Sequence, residues 1–177
     1  MSGWHALTVE LDAHLATLNA AVGLLRRRNL PTKDVTVGPA PTEGRMRLFA
    51  MIETDAGTAE RITELFRKMI GVHDVRATAA DATVQRELVL VRLRPAGGDA
   101  YAELLDVLGL YHASVVEESG DGIVAEVSGP ASFVLSCLRA LERFGVVDVA
   151  RSGTLAVERP VPAPAPVPFT PTEIHAS

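Results

Sequence analysis

Trp4-His5-Ala6-Leu7-Thr8-Val9-Glu10-Leu11 sets Leu7, Val9 and Leu11 at alternate positions, and Leu15, Leu18, Val22 and Leu25 then recur at steps of three and four. The first spacing sends side chains to one face of a strand, the second to one face of a helix. Asp12 stands ahead of the helix as a candidate cap, and Arg26, Arg27 and Arg28 lie at its C-terminal end, where the helix dipole favours cations. The helix is expected to end near Asn29-Leu30-Pro31. Two β-type runs follow, residues 34–37 and 45–53, joined by the loop-forming Gly38-Pro39-Ala40-Pro41-Thr42-Glu43-Gly44. A second amphipathic helix carries Ile62, Leu65, Phe66, Met69 and Ile70, Gly71 stops it, and Val72 to Ala77 supplies another strand. The order is βαββαβ.

The same order repeats. A strand is expected from Glu87 to Leu93, a break at Pro95-Ala96-Gly97-Gly98, and a helix through Tyr101, Leu104, Leu105 and Leu108. Residues 115–118 and 123–127 flank Ser119-Gly120-Asp121-Gly122, a connection suited to a hairpin. A helix with Val134, Cys137, Leu138 and Leu141 runs to Gly145, and Val146 to Val157 completes the unit. The chain is therefore read as α+β, with two tandem ferredoxin-like βαββαβ modules over residues 4–79 and 80–159. Phe49 and Met51 alternate with Leu48 and Ile52, so the strand is apolar on both faces, and a second subunit is expected to cover the face opposite the helices. From Pro160 onward Pro160, Pro162, Pro164, Pro166, Pro168 and Pro171 suit neither helix nor central strand, so residues 160–177 are read as a disordered Pro-rich tail.

Composition narrows the function. A hydrophobic fraction of 47% with 22% charged residues supplies a core, and a net charge of -5 disfavours nucleic acid as a partner. No apolar run reaches the length of a membrane span, the N-terminus has no signal-peptide pattern, and one cysteine builds no disulfide framework; a cytoplasmic protein is expected. His5, His14, His73, His112 and His175 show no metal-ligand spacing. Cys137 falls on the apolar stripe of its helix and reads as core. Asp12 with His14 lacks any accompanying nucleophile, and Glu117, Glu118 and Asp121 read as a charged hairpin tip. No catalytic constellation and no metal site is therefore expected. Arg26–Arg28 can also serve as a docking patch for an acidic surface.

Four stretches carry a family resemblance: Gly23-Leu24-Leu25-Arg26-Arg27-Arg28, Val35-Thr36-Val37-Gly38-Pro39, Gln85-Arg86-Glu87-Leu88-Val89-Leu90-Val91-Arg92, and Val149-Ala150-Arg151-Ser152-Gly153-Thr154-Leu155-Ala156. In this order the chain resembles the small, regulatory subunit of acetolactate synthase, an ACT domain followed by a family-specific C-terminal domain. The resemblance implies a non-catalytic subunit for valine, leucine and isoleucine biosynthesis, dimeric through the ACT domain. It also implies a large catalytic partner that it binds and activates, with thiamine diphosphate, FAD and Mg expected only in that partner. A branched-chain amino acid effector, usually valine, belongs to the family at an Asn-x-x-Gly-x-Leu turn. Here that turn reads Ala13-His14-Leu15-Ala16-Thr17-Leu18; the asparagine falls on Ala13, the glycine on Ala16, and a second family asparagine on Pro31. Weakened or lost valine feedback is the expectation. The alternatives are a divergent ACT-domain sensor using His14 or Thr17, an assembly factor for another partner enzyme, or a stand-alone enzyme on this scaffold.

Overall fold

The computed structural model describes residues 2–120 and 122–160; the Pro-rich segment after Pro160 and Asp121 of the hairpin tip lie outside the described residues. Strand β1 (Gly3–Asp12) leads into helix α1 (Leu15–Arg28), then β2 (Thr32–Pro39), β3 (Arg45–Thr54), α2 (Ala56–Arg67) and β4 (Val72–Ala79). The four strands form one antiparallel sheet in the order β2-β3-β1-β4. Alternation is what builds its core. Leu7, Val9 and Leu11 of β1 face Ala50, Leu48 and Met46 across the ladder, and α1 and α2 close over them with Leu24, Leu25, Ile62 and Phe66.

A 3-10 turn at Ala80–Ala82 precedes β5 (Thr83–Leu93), α3 (Gly98–Leu110), β6 (Ser114–Ser119), β7 (Gly122–Gly129), α4 (Ala131–Leu141) and β8 (Val146–Arg151). Their sheet has the order β6-β7-β5-β8, the same arrangement as the first. Val89, Val91 and Leu93 alternate inward against Leu104, Leu108, Val134 and Leu141. The molecule is thus two ferredoxin-like modules in tandem.

Three expectations change. The run from Val146 to Val157 is not one strand. Gly153 takes φ +71, the chain turns, and β9 (Leu155–Glu158) pairs instead with Thr83–Arg86, the first part of β5. This requires β5 to begin four residues before Glu87, at a stretch whose alternation alone did not mark it as strand. The second helix stops at Arg67 rather than Ile70, because the Met69 N–H closes a tight turn on the Phe66 carbonyl at 2.9 Å; Ile70 is 98% exposed.

The third correction concerns the face opposite the helices. Ala6, Phe49 and Met51 are buried there by Trp4, Ala80 and Ala156 of the same chain. Ala156 of the β5–β9 ribbon, with Trp4 and Ala80, thus covers part of the face that a second subunit had been expected to cover. Thr78 donates to Glu158 at 2.9 Å, and the Arg159 side chain donates to the Asp81 carbonyl at 3.0 Å, fastening the ribbon at the end where β9 stops.

Candidate effector turn and module junction

The turn at residues 13–18 joins β1 to α1. The Ala13 N–H donates to the Gly44 carbonyl at 2.9 Å, the His14 N–H to Asp12 at 2.7 Å, and the Leu18 N–H to His14 at 3.1 Å. His14 occupies the cap position of α1 with no side-chain cap bond, so Asp12 is not the cap its sequence position suggested. Its carboxylate turns the other way and meets His73 Nε2 at 2.6 Å. That hydrogen bond holds the Asp12 carboxyl below its ordinary range. Gly71, at φ +80, allows the approach: a Cβ there would lie 2.7 Å from Asp12 Oδ2 and 3.0 Å from Thr17 Cγ2. Sequence reasoning missed this pair because its members are 61 residues apart.

Ala13, His14, Leu15 and Ala16 are exposed, Leu15 to 81%, while Thr17 and Leu18 are half-buried. Pro31 is exposed at the opposite end of α1, and its carbonyl accepts from the Glu53 N–H at 2.9 Å. A 14-residue helix spans about 20 Å, so one chain does not bring Pro31 and the turn together.

A second set of residues converges where the two modules meet. Glu87 is 4% exposed, and its two carboxylate oxygens accept from Arg151 Nε at 2.6 Å and Nη2 at 2.8 Å. This is a fork-to-fork pair between β5 and β8. Next to it, Ser152 and Leu88 exchange two bonds, the Ser152 N–H to the Leu88 carbonyl at 2.9 Å and the Leu88 N–H to Ser152 Oγ at 3.0 Å. Thr154 then reaches back to the first module and donates to Asp34 at 2.9 Å. Asp34 itself stands at φ 54, inside the irregularity between Lys33 and Thr36 of β2. Gly153 passes so close to β2 that a Cβ would lie 2.8 Å from Thr36 Cγ2. The Arg-Glu-Leu and Arg-Ser-Gly stretches thus build one object, the junction.

Glu87, Leu88, Arg151, Ser152, Gly153 and Thr154 of this junction fall within residues 86–160, which match the family model described as "Small subunit of acetolactate synthase". Over 155 residues the chain is 28% identical to a protein of Methanothermobacter thermautotrophicus described as "Probable acetolactate synthase small subunit", covering 88% of this chain and 92% of that one. It is 29% identical over 154 residues to the acetolactate synthase small subunit of Bacillus subtilis, covering 86% and 89%. The chain is thus similar along most of its length to acetolactate synthase small subunits, and residues 86–160 match their family model. The crystal structure of that small subunit from Thermotoga maritima shares its fold at TM-score 0.78, with 24% identity over 88% of this chain and 97% of that one.

The remaining polar groups are sparse. Among the described residues no group of three or more His, Cys, Asp or Glu could hold a metal ion, and no helix is long and apolar enough to cross a membrane. Cys137 is fully buried, and desolvation pushes its thiol up. Glu117 and Glu118 lie exposed on β6, and Arg26, Arg27 and Arg28 are exposed at the end of α1. Edge strands leave valines open to solvent: Val35 and Val37 on β2, Val115 and Val116 on β6, and Val147 and Val149 on β8.

Proposed function

We propose that this chain is the non-catalytic regulatory subunit that binds and activates an acetolactate synthase large subunit, and that it responds weakly or not at all to valine. The observation that carries the first half is the junction: the family-matching residues are spent on clamping two modules into one body, not on presenting an acid, a base or a nucleophile to a pocket. The valine-lined edges of β2, β6 and β8 support a chain whose surfaces are meant for other proteins. Thiamine diphosphate, FAD and Mg belong to the partner in this reading, which also has two copies pairing through the first module.

The second half rests on the turn. Ala13, Ala16 and Pro31 offer no side-chain donor to a ligand carboxylate, whereas the family's asparagines do. A hydrogen bond to a charged group contributes about 1.5–3 kcal/mol, so losing two weakens binding by factors of hundreds or more. Pro31 and the turn are separated within one chain, and a symmetric pair is the arrangement that would bring them to a shared interface.

Coexpression with an acetolactate synthase large subunit tests the reading. Co-purification and a rise in turnover when this chain is added are expected; failure to associate with any such subunit overturns it and favours an assembly factor for a different enzyme. Calorimetry with valine tests the feedback claim separately, and micromolar affinity would refute it. Sedimentation at micromolar concentration should show a dimer.

A further inference from the structure

The β5–β9 ribbon does not lie flat on the first sheet. Between them runs a cleft of about 370 Å³, at the small end of the range of roughly 300–1,000 Å³ typical of ligand pockets. Its walls are mostly apolar, with Phe49 on the sheet and Val84, Leu155 and Val157 on the ribbon. Two guanidiniums, Arg47 and Arg86, and the hydroxyls of Thr8 and Thr36 also line it, and among the described residues no carboxylate does.

Arg47 is incompletely neutralised. Glu10 accepts from Arg45 at 2.9 Å with one oxygen, and its other oxygen stands 3.8 Å from Arg47 Nη2. One carboxylate is thus shared between two cations. Arg47 Nε is buried with no hydrogen-bond partner among the described residues, a state that costs free energy unless something accepts the bond. The cleft lies on the sheet face opposite α1 and α2, so it is separate from the turn at residues 13–18.

We propose that this cleft binds a small monocarboxylate with a short apolar body, its carboxylate on Arg47 and its body against Phe49, Val84, Leu155 and Val157. A carboxylate accepts from the accessible part of the planar guanidinium, the Arg47 side chain being 39% exposed. A phosphate would also find the guanidiniums and hydroxyls, but it has no apolar body to set against Phe49, Val84, Leu155 and Val157. The proposal is independent of the partner enzyme, since the chain alone contains every residue it names.

The test is a titration of the full chain with hexanoate, followed by amide and methyl NMR, with hexanol and inorganic phosphate as comparison ligands. Saturable shifts centred on Thr8, Val84, Leu155 and Val157 are expected, with hexanol and phosphate each weaker by about tenfold or more. Arg47→Gln should weaken hexanoate by a similar factor while keeping the native spectrum. Val157→Glu, an exposed change that sets a like charge at the mouth, should do the same and decides the matter if the arginine variant does not fold. The proposal is overturned by absence of saturable shifts, by equal binding of hexanol or phosphate, by shifts centred on Ala13–Leu18 instead, or by a folded variant that retains full affinity.

Discussion

At the scale of single residues, Glu87 carries the most consequence. It is 4% exposed yet both oxygens are taken by Arg151, whose own side chain remains 45% exposed. Removing the acid leaves a solvated cation rather than a buried one, so Glu87→Ala should cost about 2 kcal/mol in urea unfolding, below the full penalty of breaking a buried pair. A double-mutant cycle with Arg151→Met should recover most of that as coupling energy. Gly153→Ala combines a left-handed backbone with the 2.8 Å approach to Thr36 and should cost about 1–3 kcal/mol. Asp12 gives a titration readout. Its folded-state pKa lies below 3.8 because of the His73 hydrogen bond, so the pair's contribution is complete above that value and fades as pH falls through the folded-state one. Carboxyl NMR should place the Asp12 midpoint below 3.8, and His73→Ala should move it back toward that value.

Among the elements, α2 shows how a local signal and a tertiary one divide the labour. Asp55 caps it, accepting from the Thr58 N–H at 2.9 Å and the Thr58 hydroxyl at 2.7 Å, which holds its carboxyl below the ordinary range. The sign again follows from a depressed value: the cap is intact above pH 3.8 and lost on acidification. Asp55→Ala should therefore lower the urea midpoint at neutral pH and change it little at about pH 2, well below the carboxylate range. The helix's apolar stripe was legible from Ile62 and Phe66; its end was not, because Met69 turns back onto Phe66. Asp12 reads as a cap by position alone, and only β4 brings His73 to it. Of the turn at residues 13–18, the sequence carries the residue types but not their separation from Pro31, which depends on helix length and sheet direction.

For the whole molecule, the decisive element is the short β9. Truncation after Gly153 should uncover Phe49, Met51 and the single tryptophan, Trp4, whose ring also carries Lys33 Nζ at 4.3 Å. A red shift of tryptophan fluorescence with a lowered Tm is the expected result; unchanged fluorescence would mean the ribbon does not cover that face. The amino-acid sequence by itself determined the two βαββαβ repeats, because apolar spacing of two and of three to four is a local consequence of backbone geometry. It also carries Ala13, Ala16 and Pro31, on which the proposed loss of valine response rests. What the tertiary structure decided is every contact that joins distant segments: Glu87 with Arg151, Thr154 with Asp34, Asp12 with His73, and the ribbon over Phe49. Such pairings have no periodicity to read, since each is fixed only when the two sheets and their connecting strand have taken their places.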